Sequence, residues 1–269
     1  MKNRPPKPLD PNNTISQMEA FIEIVKILRR DCPWDKKQTH QSLSHLLIEE
    51  SYEVVDAIAS NNPKELADEL GDLLLHVIMH SLIAEENNEF TFADVISNIR
   101  NKMIYRHPHV FSDAQVSNTD EVLDNWEKIK MNEGRKSALE GVPISLPSLL
   151  KAERIQEKAS RVGFDWTDKN DVWAKVEEEF EELKTELKSQ EKDNCRRKEE
   201  EFGDLIFAIV NAARFEKIVP EQALQKANNK FTRRFQYVEN KAAENGLKLS
   251  EMTLEEMNQL WDEVKKIEK

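Results

Sequence analysis

Glycine is scarce in this chain, with six in 269 residues, and there are only two cysteines and three tyrosines. So little glycine argues against a turn-dense β architecture. With 33% charged residues and long runs of Glu, Lys, Leu and Ala, the chain reads as all-α. Cys32 and Cys195 lie far apart without disulfide or metal-ligand spacing, which leaves two reduced thiols in a cytosolic setting. Basic charge is not in excess either: the formal net charge is −12 and the pI is near 5.2. General affinity for nucleic acid or anionic lipid is thereby excluded, because both need a basic surface. No stretch reaches membrane-spanning length free of charges, and Met1 to Pro11 is polar and proline-rich, unlike a signal peptide. The expectation is a cytoplasmic protein, no membrane partner, and a flexible start over residues 1–14.

What is present is helical periodicity. Ile15, Met18, Phe21, Ile22, Val25 and Leu28 keep the three-and-four spacing of an amphipathic helix, broken at Cys32-Pro33-Trp34-Asp35. A second helix is expected from Thr39 through Ala59, and a third from Pro63 to about Glu86. Thr91, as N-cap with Asp94 in the capping-box position, opens a fourth that ends near Arg106. A further helix starts at Asn118 or Thr119 and passes through Trp126 and Lys130. Residues 132–147, with Gly134, Gly141, Pro143 and Pro147, read as a linker between modules 15–131 and 148–269. Beyond it come helices over Ser148–Arg161, Val172 to about Lys188, Asn194–Glu216, Pro220 toward Gly246, and one capped by Thr253 that passes through Trp261. Glu191-Lys192-Asp193 reads as a polar turn.

The second half replays the first. Glu49-Glu50-x-x-Glu53 corresponds to Glu178-Glu179-x-x-Glu182, and Glu69-Leu70-Gly71-Asp72 to Glu201-Phe202-Gly203-Asp204. Downstream, Lys102-x-x-x-Arg106 is echoed by Lys230-x-x-x-Arg234, and Trp126-x-x-x-Lys130 by Trp261-x-x-x-Lys265. Tandem related modules of four to five helices follow. The interval from Glu182 to Glu201 is three residues longer than that from Glu53 to Glu69, so the loop between acid helices differs.

Acidic residues fill 51 of 269 positions, so one such quartet can arise by chance as a solvated helix face. Two copies, each joined to Gly-Asp-Leu and to the same later motifs, favour a shared site. Glu69 with Asp72, and Glu201 with Asp204, stand three residues apart and share a helix face, where hard oxygen ligands suit Mg²⁺ or Mn²⁺. Glu50, Glu53, Glu179 and Glu182 complete the two sets. Gly71 and Gly203 each cost a helix about 1 kcal/mol relative to alanine, and close helix approach is the expected compensation. A carboxylate-held Mg²⁺ serves phosphate chemistry. Lys230 and Arg234, one turn apart, can meet phosphates, or they are surface charges of an amphipathic helix. Trp261 either stacks on a base, which would accept any base face, or caps the core.

Taken together, Cys32-Pro33-Trp34-Asp35-x-x-Gln38-Thr39-His40, the paired acidic motifs, Arg106-His107-Pro108-His109-Val110-Phe111, Arg161-Val162-Gly163-Phe164-Asp165-Trp166 and Lys226-Ala227-Asn228-x-Lys230-Phe231-x-Arg233-Arg234-Phe235 resemble the MazG nucleoside triphosphate pyrophosphohydrolases. The resemblance covers nearly the whole chain from about Ile15. It implies tandem all-α modules, a homodimer, Mg²⁺, and hydrolysis of NTPs and dNTPs to the monophosphate and pyrophosphate. It assigns Glu179, Glu182, Glu201 and Asp204 to metal, and Lys175 to Glu179, Lys230 to Arg234 (Arg233 included) and Trp261 to nucleotide.

The repeat itself ranks the copies. Lys175, Asn211 and Arg214 flank the second quartet, where the first has Leu46, Met79 and Leu82, so the second module is expected to be the main catalytic site. Water attacks the α-phosphorus, with Glu178 or Glu179 as base. His76 and His80 follow Asp72 at four-residue intervals but read as histidines satisfied within a helix interface. A di-iron carboxylate bundle would need Glu-x-x-His pairs, and no histidine here follows an acid by three residues. A helical scaffold that keeps a degenerate metal site is the non-enzymatic alternative.

Overall fold

The structure is a computed structural model that describes residues 4–119, 121–122, 125–126, 129, 134, 137–189 and 195–268. Among these residues there is no strand; there are ten bounded α-helices and two short 3-10 turns, and Thr119, Glu121, Val122, Asn125, Trp126 and Ile129 are helical as well, where a helix was expected. The chain is all-α, as its composition requires. It divides into two compact units, residues 1–116 and 117–269. The expected helix end at Lys130 and the polar turn Glu191–Asp193 lie outside the described residues.

The first unit holds α1 (Thr14–Asp31), α2 (His40–Ala59), α3 (Pro63–Glu86), α4 (Phe92–Arg106) and the one-turn α5 (Pro108–Phe111). Each main helix starts where a side chain satisfies the free amides of its first turn. Asn13 accepts from Ser16 N, Thr39 and Ser42 form a reciprocal capping box, and Asn62 accepts from Lys64 N and Glu65 N with Pro63 at the first position. Thr91 and Asp94 cap α4 in both directions, as expected. The fourth helix ends near Arg106, as expected. The one-turn α5 follows it, started by Pro108.

Val25 of α1, Leu43 of α2 and Ile78, Met79, Leu82 and Ile83 of α3 form the core, with Phe21, Leu46 and Phe92 packed against it. Arg29 fastens the α1–α2 connection. It donates to Glu86 on α3 and to the carbonyls of Asp35 and Gln38, and so holds the 3-10 turn Asp35–Lys37.

The second unit holds α6 (Ser148–Ser160), α7 (Lys169–Lys188), α8 (Cys195–Phe215), α9 (Pro220–Glu244) and α10 (Leu254–Ile267). α7 begins earlier than the expected Val172 because Asp168 caps it, accepting from Asn170 N. Thr253 and Glu256 form the capping box of α10. Val172, Leu183, Val210, Val238 and Val264 are buried, one or two from each of α7 to α10. Buried Lys158 donates to the carbonyls of Ala138 and Glu140, which ties the segment before α6 to that helix.

Ile78 is fully buried, whereas Ile96 on α4 is half exposed. Ile78→Ala should lower stability by about 2–5 kcal/mol, and Ile96→Ala by about 0.5 kcal/mol or less. Urea unfolding followed by circular dichroism measures both.

Candidate functional site

Pairing of α7 with α8, and of α2 with α3, brings each acidic quartet together. In the second unit Glu179, Glu182 and Glu201 each place a carboxylate oxygen within 4.8 Å of the others. In the first, Glu50, Glu69 and Asp72 do the same. Three carboxylate oxygens gathered this closely are a donor set suited to a hard divalent cation.

Crowding leaves an electrostatic mark on both groups. Desolvation, then the charges of Glu182, Glu179, Asp204 and Glu186, push the Glu201 carboxyl above its ordinary range. Glu50 is raised by desolvation and by Asp72, Glu53 and Glu49, and Glu69 by desolvation and its hydrogen bond and charge interaction with Glu53. Carboxylates that resist ionising together are what a bound cation would relieve. Glu186, one turn beyond Glu182, joins the second group and was not foreseen. Its counterpart by repeat spacing is Ala57.

The two units differ beside these acids. Lys175 Nζ donates to Glu178 Oε1 at 2.9 Å and lies 2.7 Å from Glu179 Oε1, and these two partners raise its pKa. Next to it opens a cavity of about 370 Å³, with Lys175, Glu179, Asp204, Gln156, Asn211 and Arg214 among its lining residues. Arg214 donates to Asp165 at 3.0 Å and to Asn211 Oδ1, so the loop after α6 is bound to α8. The first unit has core at the matching places: Met79 and Leu82 are buried and Leu46 packs on them.

Lys230, Arg233 and Arg234 stand on α9 and Trp261 on α10, and among the described residues none lines the cavity or the acidic cleft of Glu178, Glu182, Glu186 and Glu201. Arg233 and Arg234 are both held by Glu268, while Trp261 packs on Phe231 with Arg234 over its ring. The histidines of the first unit lie in a helix interface but are only partly satisfied, for His76 Nδ1 and His80 Nε2 are buried without a hydrogen-bond partner. His40 Nδ1 and His80 Nδ1 meet at 2.7 Å and join α2 to α3, and burial lowers the pKa of both His76 and His80. One expectation fails. A Cβ at Gly71 or Gly203 would meet nothing within 4 Å, so neither glycine marks a close helix approach within the chain.

Known proteins resemble this chain over most of its length. The family model for the MazG nucleotide pyrophosphohydrolase domain matches residues 38–111. The nucleoside triphosphate pyrophosphohydrolase of Escherichia coli (strain K12) is 43% identical over 261 residues, which cover 94% of this chain and 99% of the relative. The nucleoside triphosphate pyrophosphohydrolase/pyrophosphatase MazG of Thermotoga maritima is 44% identical over 252 residues, with 92% and 95% covered. The uncharacterized protein YabN of Bacillus subtilis is 47% identical over 258 residues, which cover 94% of this chain and 52% of YabN.

The raised pKa of Glu201 makes a signed prediction. The folded state holds this proton more tightly than the unfolded chain, so the carboxyl favours folding at low pH. That contribution is lost as pH rises from the ordinary carboxylate value through the raised one. At pH 7 without divalent cation, Glu201→Gln should therefore raise the melting temperature, and below pH 4 the gain should vanish. Mg²⁺ should stabilise the wild type and do much less for the variant. Thermal melts with and without the ion check all three.

Proposed function

The chain belongs to the MazG family and is a nucleoside triphosphate pyrophosphohydrolase, a hydrolase of phosphoric anhydrides, and we propose that its second unit does most of the catalysis with Mg²⁺, on both NTPs and dNTPs. The observation that carries this reading is the pairing of a carboxylate cluster with a cation and a cavity. Lys175 and the cavity adjoin Glu179 and Asp204 in the second unit, while Leu46, Met79 and Leu82 fill the matching places in the first.

Glu179, Glu182, Glu201 and Asp204 would hold Mg²⁺ (or Mn²⁺), with Glu50, Glu53, Glu69 and Asp72 as the corresponding set of the first unit. Bound Mg²⁺ supplies charge neutralisation on the phosphate oxygens and the leaving pyrophosphate. Lys175, in contact with both the carboxylates and the cavity, meets a phosphate oxygen. Glu179 belongs to the three-carboxylate group, which leaves Glu178 to accept a proton; it is more exposed than Glu179 and bonded to Lys175. Water bonds to the α-phosphorus, its proton passes to Glu178, and the bond to the bridging oxygen breaks, so that pyrophosphate leaves. Lys230, Arg233 and Arg234, which the family resemblance assigns to nucleotide, line neither the cavity nor the acidic cleft, and Glu268 holds both arginines, so no step here is routed through them.

The acid helices also carry exposed apolar residues. Phe202, Ile206 and Ile209 repeat along α8, and Trp173, Phe180 and Leu187 along α7, all between 47% and 50% exposed. The first unit shows Tyr52 and Val55 on α2 with Leu70 and Val77 on α3. Apolar faces of this extent support a homodimer in which a second copy covers the acid helices. Among the described residues no helix is long and apolar enough to cross a membrane, which suits the proposed cytoplasmic setting.

Pyrophosphate release from a panel of NTPs and dNTPs with Mg²⁺ tests the division between units. Glu182→Gln should reduce turnover by about a hundredfold or more, while Glu53→Gln should stay within about twofold of the wild type. The reverse pattern would move the chemistry to the first unit, and a wild type silent on the whole panel would restore the scaffold alternative.

A further inference from the structure

We propose that Lys158 is a positioning residue of the second unit: it fixes the turn over Ser137 to Gly141 so that Leu139 stands as part of the wall of the cavity beside Lys175. This rests on the reading of the second unit as the site of hydrolysis.

Arg29 on α1 and Lys158 on α6 each stand third from the end of their helix. Both lie inside, with 11% of the Arg29 side chain and 3% of Lys158 exposed. Burying such a cation is costly unless oxygens receive its N–H groups, and each of the two donates to a pair of main-chain carbonyls. The carbonyls differ in place. Those of Asp35 and Gln38 follow the helix of Arg29, whereas those of Ala138 and Glu140, at 3.1 and 3.2 Å from Lys158 Nζ, precede the helix of Lys158. The segment after α6 is held by the Asp165–Arg214 pair instead. A device that in the first unit steadies the chain leaving its helix thus steadies, in the second, the chain that enters it.

Leu139 sits between the two gripped carbonyls, and its own backbone is bonded as well. Its N–H donates to Ser137 Oγ at 3.2 Å, Glu140 N donates to the Ser137 carbonyl at 3.1 Å, and Val142 N to the Leu139 carbonyl at 3.4 Å. Gly141 ends the turn at φ 83°, where a side chain would be strained. With the main chain fixed on both sides, the direction of the Leu139 side chain is set, and it lines the cavity that Lys175, Glu179 and Asp204 also line. Leu139 is still 43% exposed, so a substrate in the cavity would bury apolar surface that the chain itself leaves open. Such a contact is the same in ground state and transition state, so it acts on KM and not on kcat.

A double-mutant cycle read in KM and kcat for ATP tests this. Leu139→Ala and Lys158→Met should each raise KM by about fivefold, with kcat within about twofold of the wild type. In the double variant the two effects should not add, because Lys158 acts through Leu139. An unchanged KM in Leu139→Ala, a fall in kcat alone in Lys158→Met, or full additivity would overturn the proposal. If Lys158→Met does not fold, Gly141→Val decides from the exposed side of the turn: KM should rise with kcat held, and an unchanged KM would overturn it. If the wild type turns over no triphosphate, the catalytic reading fails separately, and amide hydrogen exchange decides the grip. Residues 137–142 should be protected in the wild type and exchange about tenfold or more faster in Lys158→Met, with α7 and α8 unchanged. No protection in the wild type, or equal exchange in the two, would overturn the role of Lys158.

Discussion

Carboxylates forced close together on paired helices are the constraint on which the rest depends. Helix α7 supplies Glu179 and Glu182, α8 supplies Glu201 and Asp204, and the pairing of the two helices gathers these acids beside one another. The raised Glu201 carboxyl is the consequence, and Glu50 and Glu69 repeat it in the first unit. Such a cluster resists full ionisation and is well suited to a divalent cation, so the same crowding can serve phosphate chemistry.

The duplicated units show how one scaffold carries two different interiors. Both keep the acid helices, but the first closes the space behind them with Leu46, Met79 and Leu82, while the second opens it with Ala208 and lines it with Asn211 and Arg214. Core side chains in the first unit contribute burial energy, and the same positions in the second are given over to a cavity. The Asp165–Arg214 pair then fastens the loop beside that cavity, so that an open space does not become a loose one.

Much of this was legible in the sequence because its determinants are local. Pro63 after Asn62, Thr91 with Asp94, and Thr253 each act within one turn, and each marks a helix start in the structure. The quartets were legible because helical spacing fixes a face and the repeat confirmed it. The start of α7 was misplaced because apolar periodicity begins at Val172 while the cap that decides the start is Asp168. Glu186 was hidden among other glutamates of the same helix. The cavity could not be read at all, since it depends on small residues, on the amide of Gln156 and on a loop that meets α8 only in three dimensions. Gly203 misled for a related reason: the space around it within the chain is open, and only the fold could reveal that.

The central claim is that water attacks the α-phosphorus at the second unit's carboxylates. Hydrolysis of ATP in ¹⁸O-labelled water, with the products resolved by mass spectrometry, tests it most directly. The account predicts the label in AMP, with pyrophosphate unlabelled. Label in pyrophosphate would place the attack on the β-phosphorus, and labelled orthophosphate as the primary product would place it on the γ-phosphorus; either would contradict the account.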